Sequence, residues 1–187
     1  YLPKIESNRP ERMPIPLATI RTIQEECREL DDEARWLIAL LSDTGMRLSE
    51  ALGLQASDIV TQNGIPSASI QESHWRPLKT RSSTRTIPLV GAALWASGRL
   101  LESSDKGFLF PKYCDGQITK SNSASAALNK WLKPRAPEGC VIHSFRHSFR
   151  DRLRAVECPA DIIDAIGGWT TEGIGHQYGQ GHSLTVM

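Results

Sequence analysis

Apolar positions recur at helical spacing along most of the chain. In "LATIRTIQEECREL", residues 17–30, they fall every three or four positions after Pro14 and Pro16, which predicts a helix. "DEARWLIALLSDTG" predicts a second, strongly apolar helix that stops at Gly45. "RLSEALGL" reads as a short third helix ending near Gly53. The texture then changes. "ASIQES" and "TRTIPLV" are short β-like runs, with the basic segment "HWRPLKTRSS" between them. They predict a small antiparallel sheet whose hairpin carries Lys79. Helical spacing returns in "GAALWASGRLLES" and "SASAALNKWL", separated by the extended piece "FLFP" and followed by the Pro-rich loop "KPRAPEG". "IHSFRHSFRDRLRAVE" predicts a helix that stops before Pro159. "PADIIDAIGGW" predicts another, with Pro in its first turn and Gly167-Gly168 at its end. The last stretch, "TTEGIGHQYGQGHSLTVM", is Gly-rich and weakly patterned. The expected class is mainly α with a small antiparallel β-sheet, an α+β fold.

Composition adds little to this. The chain has 187 residues, 40% hydrophobic and 23% charged, which suits one domain with a real core rather than disorder. No apolar run reaches the roughly 20 residues of a membrane span, so no membrane partner is expected. Cys27, Cys114, Cys140 and Cys158 are widely spaced, as reduced thiols of a cytoplasmic protein would be. Neither cysteines nor histidines show a metal-ligand pattern, so no metal and no cofactor is expected.

Charge is more informative in its distribution than in its net value of +1. Glu25, Glu26, Glu29, Asp31, Asp32 and Glu33 crowd around Arg28. Arg76, Lys79, Arg81 and Arg85 form a run without acids, and Lys112, Lys120, Lys130, Lys133 and Arg135 another with only Asp115. One acidic face and several basic segments fit a protein that binds a polyanion on one side; an ordinary charged surface fits equally well.

The candidate chemistry centres on "HSFRHSFR", one helical turn written twice. Positions three and four apart share a helix face, so His143, Arg146, His147 and Arg150 form one stripe and Phe145 and Phe149 an adjacent apolar one. If the helix begins near His143, that residue and Arg146 lie in the first turn, where free backbone N–H groups favour an anion. That makes His143 and Arg146 the working pair. Taken alone, the stripe reads as a solvated basic face. "TGMRLSEALGL" adds Arg47 at the mouth of a helix, with Glu50 placed to orient or balance it. A lone Tyr178 lies beyond the Gly-Gly-Trp. Two arginines, a lysine, a histidine and a tyrosine suit chemistry on a phosphodiester.

In order along the chain, "TGMRLSEALGL", "LKTRSSTRTIPL", "HSFRHSF" and "IGGW", with Tyr178 nine residues after Trp169, resemble the catalytic domain of tyrosine recombinases, the phage integrase family. Each piece is weak alone; together, in this order and spacing, they are specific. The resemblance spans about residues 13–180 and implies the integrase catalytic-domain fold. It implies that Arg47 and Arg146 grip a scissile phosphate, that Lys79 is the hairpin lysine, that His143 is the histidine of His-x-x-Arg, and that Tyr178 is the nucleophile. Trp169 falls where most members have a second histidine and some a tryptophan; a Trp closing the core beside Gly-Gly is a compatible reading. Arg76 and Arg81 compete with Lys79. His147 and Arg150 match no catalytic position and read as structural or backbone-contacting, and His176 has the wrong offset.

The implied function is site-specific recombination of double-stranded DNA through a covalent 3′-phosphotyrosine, without metal or ATP. An integrase of a phage or other mobile element is expected, with a dimer resolvase and a catalytically silent DNA-binding protein as alternatives. Implied partners are specific DNA sites, a tetramer of protomers on paired sites, and DNA-bending accessory proteins, in the bacterial cytoplasm. Residues 1–12 read as an interdomain linker remnant and 13–187 as the catalytic domain, with an N-terminal clamping domain expected outside this chain.

Overall fold

The computed structural model describes residues 13–80, 83–105, 107–169 and 183–187. The expected linker, 1–12, and most of the Gly-rich stretch lie outside the described residues. Helices α1 (Leu17–Leu30), α2 (Glu33–Thr44) and α3 (Leu48–Leu52) come first. Strands β1 (Ile59–Gln62), β2 (Ile65–Ile70) and β3 (Arg85–Pro88) follow. The chain then forms α4 (Gly91–Ser103), α5 (Ser121–Leu132), α6 (Ser144–Ala155) and α7 (Ala160–Gly167). The mainly α class with a small antiparallel sheet is therefore as expected.

Helix α2 is the axis of the core. Asp32 caps its start, accepting a hydrogen bond from the Arg35 backbone N–H at 3.0 Å. Leu37–Leu41 are buried without regard to face, as a helix surrounded by others requires. Helix α4 packs against it through Ala92, Ala93 and Ala96, whose small side chains let the two backbones approach. Helix α1 contributes one stripe, Ile20, Ile23 and Cys27. Three of the six acids around it are paired: Glu26 with Arg135, Asp31 with Arg99 and Asp32 with Arg35. For these residues the expected acidic face is a set of ion pairs. Burial pushes the Cys27 thiol up to about 12, so it packs as a small apolar group. Among the described residues no helix is long and apolar enough to cross a membrane, and no group of histidines, cysteines and acids could hold a metal ion.

The sheet has one strand more than the two β-like runs suggest. All three strands are antiparallel in the order β1-β2-β3, with Ile59 opposite Ala68 and Ala68 opposite Ile87. The missed strand, "IVTQ", ends in exposed Thr61 and Gln62 and has little apolar signal. Its turn was legible: Asn63 and Gly64 both have positive φ, 53° and 78°, as a two-residue hairpin of the primed type needs. The connection from β2 to β3 also differs from a free basic hairpin. Arg76 is buried and donates to the Gly53 carbonyl, the Gln71 carbonyl and Asp58. Trp75 donates its indole N–H to the same Gly53 carbonyl at 3.1 Å. Arg76 is thus committed to structure and drops out as a rival to Lys79, which lies exposed in the second half of the connection. Arg81 lies outside the described residues.

Helix α6 shows what the doubled tetrapeptide does. Phe145 and Phe149 are buried as expected, and so are both serines. Ser148 donates to the Ser144 carbonyl and accepts from the Ile15 N–H at 2.7 Å. Ser144 accepts from the Val141 N–H, and the Ile142 N–H donates to Asn129 of α5 at 2.8 Å. The start of α6 is thereby fixed to two other parts of the chain. Helix α7 starts one residue later than expected, with Pro159 at the capping position.

Gly45 ends α2 in the left-handed region, φ 61°, and a Cβ there would lie 2.6 Å from Phe149 Cδ1. Gly45→Ala is therefore expected to destabilise the fold by about 2–5 kcal/mol, adding a left-handed backbone cost of about 1–2 to overpacking of about 1–3. Urea unfolding measures this, and an unchanged midpoint would contradict the packing described.

Candidate active site

The ends of α2, α6 and α7 and the edges of α3 and β3 meet around a buried carboxylate. Glu50, in the first turn of α3, is 2% exposed. Its Oε2 accepts from the Arg47 backbone N–H at 2.9 Å, capping the helix, and its Oε1 accepts from Arg47 Nη1 at 2.6 Å. From β3, Arg85 donates Nη2 to Glu50 Oε2 at 2.9 Å. Burial alone would raise the Glu50 pKa, but the hydrogen bond and charge of Arg85 and the hydrogen bonds of Arg47 outweigh it and hold the carboxyl below its ordinary value. Glu50 therefore holds the Arg47 guanidinium and backbone in one place. Arg47 Nη1 also donates to Ser83 Oγ at 2.9 Å, and Ser83 in turn hydrogen-bonds Thr80 at 3.0 Å. This ties the Lys79 connection to Arg47.

Arg85 reaches further. Its Nε donates to the Ile166 carbonyl at 2.7 Å, at the end of α7, and its Nη1 to the Ser83 carbonyl. The Gly-Gly of "IGGW" makes this possible. Gly168 has φ 63°, and a Cβ there would lie 2.8 Å from Arg85 Nη1; a Cβ on Gly167 would collide with the Trp169 ring at 1.7 Å. The two glycines let a guanidinium pass on one side and an indole lie flat on the other.

Arg146 is buried on α6, with its Nη1 donating to the Gly45 carbonyl. Its Nη2 is buried and has no hydrogen-bond partner among the described residues. The guanidinium lies 4.2 Å from the centre of the Trp169 ring. Burial and then the charge of Arg47 lower its pKa to about 9, so the group keeps its proton at neutral pH. His143 stands at the N-terminal cap of α6, its ring edge-on to His147 with centroids 5.3 Å apart. It lines two adjoining clefts. One, of about 280 Å³, also has Met46, Arg47, Ser121 and Ser125 in its wall; the other, of about 80 Å³, has Arg146, His147, Arg150 and Trp169.

Of the expected site residues, Arg47, Glu50, His143, Arg146 and Trp169 are brought together. Lys79 is exposed and lines neither cleft. Tyr178 and His176 lie outside the described residues. Sequence reasoning missed Arg85 and Ser83 and set Arg150 aside. Arg85 had a signal: it shares the inward phase of β3 with Ile87, an unusual place for a charge. Ser83, in an irregular connection, had none.

The sequence profile of the phage integrase family matches residues 16–182. The chain belongs to the phage integrase family. Solved structures with the same fold include the Tn1549 transposon integrase in complex with transposon right end DNA, at 21% identity and a TM-score of 0.65, matching 89% of this chain and 61% of that one. XerA recombinase matches at 17% identity and TM-score 0.64, over 91% of this chain and 60% of that one. A lambda integrase tetramer bound to a Holliday junction matches at 14% identity and TM-score 0.62, over 90% and 48%. The chain thus spans about half to three-fifths of the length of these structures. Comparison with curated protein sequences gives no match.

The clamp on Glu50 makes a pH prediction for this family member. A carboxylate whose folded pKa is lowered adds stability above its unfolded value, near 4.5, and that stability is lost as pH falls through the folded value. Glu50→Gln is expected to cost about 3–5 kcal/mol at pH 7, because two arginines lose their shared counter-charge. It should also flatten the acid limb of stability below pH 4.5. Urea midpoints of both proteins across pH 3–7 test this; parallel acid limbs would contradict it.

Proposed function

We propose that this chain is the catalytic domain of a site-specific DNA recombinase that cuts and rejoins strands through a covalent 3′-phosphotyrosine. The observation that carries the reading is the buried Nη2 of Arg146, without a partner among the described residues, in a cleft shared with His143, with Arg47 oriented by Glu50 in the adjoining wall. An unpaired cationic donor is costly to bury, and a phosphate oxygen is the partner that suits it.

A phosphodiester resists attack because its own charge repels a nucleophile. Arg47 and Arg146 neutralise that charge and stabilise the added charge of the pentavalent transition state. Arginine serves better than lysine because its planar fork matches two oxygens. Tyr178, with an ordinary pKa of about 10, loses its proton to His143 as its oxygen bonds to phosphorus. The bond from phosphorus to the 5′-oxygen breaks, and Lys79 gives that oxygen a proton. Trp169 packs on Arg146 and donates its indole N–H; having no acceptor, it moves no proton. The phosphotyrosine retains the bond energy, so a second 5′-hydroxyl reverses the step without ATP, and the arginines supply the charge a metal would otherwise bring.

We infer an integrase of a mobile element, acting in the bacterial cytoplasm as a tetramer on paired DNA sites, with DNA-bending accessory proteins. The match to a transposon integrase supports the mobile-element role, and the match to a tetramer on a Holliday junction supports the tetramer. The matches to Xer recombinases keep a resolvase role as the alternative within the same chemistry.

A nicked suicide substrate, which loses its 5′-hydroxyl fragment and traps the adduct, tests the reading. Wild-type protein should accumulate covalent protein–DNA, and Tyr178→Phe none, with DNA affinity nearly unchanged, since no cationic contact is lost. Adduct persisting in Tyr178→Phe would move the nucleophile elsewhere; DNA binding without any adduct would make the chain a silent binding protein.

Lys79 has a separate test. An alkoxide needs a proton to leave, whereas a thiolate, whose conjugate acid has a pKa near 8.5, does not. Lys79→Ala should cleave an ordinary phosphodiester at least 100-fold more slowly, in line with the roughly 10²–10⁴-fold worth of a general acid. It should cleave a bridging 5′-thio substrate at close to the wild-type rate. Rescue of Arg81→Ala in place of Lys79→Ala would reassign the acid.

A further inference from the structure

The smaller cleft holds a second guanidinium that the proposed chemistry does not use. Arg150 lines it with His143, Arg146, His147 and Trp169, in a volume of about 80 Å³. Its Nε is buried and, like Nη2 of Arg146, has no hydrogen-bond partner among the described residues. Its ion pair, Nη2 to Asp164 Oδ1, is 3.3 Å long, beyond the range of a strong charge-assisted hydrogen bond. Both guanidiniums lie against one indole: Arg146 at 4.2 Å and Arg150 at 4.9 Å from the Trp169 ring centre. Two arginines that repel one another, each with an unsatisfied buried donor, converge on a space that admits only a small group. Neutral packing explains neither donor. A tie between α6 and α7 explains the pair with Asp164 but not the orphaned Nε.

We propose that Arg150 is a third phosphate-contacting arginine, which with Arg146 forms an anion site in this cleft that takes a non-bridging oxygen of the scissile DNA phosphate. The inference rests on the recombinase reading for the identity of the phosphate, but not for the existence of the anion site. Trp169 then has a positioning role: both guanidiniums pack against its one ring.

Titration of the 187-residue chain with inorganic phosphate, read from the ¹⁵N-labelled Trp169 indole N–H resonance, tests the site without reference to cleavage. Wild-type protein should show a saturable shift. Arg150→Ala should weaken phosphate at least tenfold. Asp164→Asn removes the competing carboxylate charge and should leave phosphate binding unchanged or tighter. No saturable shift in the wild type, or undiminished binding by Arg150→Ala, overturns the proposal. So does Asp164→Asn behaving like Arg150→Ala, which would make Arg150 a structural tie. Cleavage of a suicide substrate with a neutral methylphosphonate at the scissile position then identifies the phosphate. Arg150→Ala should cleave the ordinary substrate at least tenfold more slowly than wild type and recover on the methylphosphonate. Failure to recover would overturn the assignment to the scissile phosphate. A wild-type protein that binds phosphate but forms no adduct would sink the recombinase reading and leave the anion site standing.

Discussion

Glu50 accepts from Arg47 on one side and Arg85 on the other, and the rest of the site takes its position from that shared carboxylate. Arg47 begins α3, Arg85 begins β3, and Arg85 continues to the last turn of α7 through the Ile166 carbonyl. One anion thus fixes a helix start, a sheet edge and a helix end relative to each other. Its buried setting is what makes it effective. An exposed ion pair of this kind contributes little, whereas a desolvated carboxylate with two guanidinium donors has a steep preference for one geometry. Two cations share one anion, so positive charge is left over, and Arg47 carries it into the wall of the larger cleft.

Glycines set how closely these groups can converge. Gly45 lets Phe149 pack against the turn whose carbonyl receives Arg146, and Gly167 and Gly168 leave room for the Trp169 ring and the Arg85 guanidinium. Each is a place where a Cβ would push a cation or an aromatic ring out of register. The same residues that punctuate the helices in the sequence are thus the ones that shape the site.

This explains which parts were legible beforehand. Helix periods, Gly45 as a stop, and the placement of His143 and Arg146 at the tip of α6 follow from local rules, and the helices appear nearly where those rules put them. Strand β1 did not, because its edge position leaves half of it polar; only the Asn-Gly turn announced it. Arg76 and Arg85 look alike in a basic run, yet one is consumed by Asp58 and Gly53 and the other by Glu50 and Ile166. Their partners lie 18 to 81 residues away; strand alternation marks Arg85 as inward-facing, but it does not say which groups either arginine meets. Arg150 was set aside because it matched no expected role, although the helical period had already placed it beside Arg146.

Arg146 shows why the site is arranged against stability. Its burial, and the charge of Arg47 beside it, disfavour the cationic form, and one of its nitrogens goes without a partner among the described residues. An apolar side chain would fold more easily there. What an apolar side chain lacks is a preorganised donor: the Gly45 carbonyl and the Trp169 ring hold the guanidinium still, so an arriving anion meets a fixed charge and needs no reorganisation. The same burial that costs stability lowers the local dielectric and would strengthen a contact to an anion. Folding free energy forgone at Arg146 reappears as affinity for the group that satisfies it, and the neighbouring Arg150, whose Nε has no partner among the described residues, extends that logic one helical turn along α6.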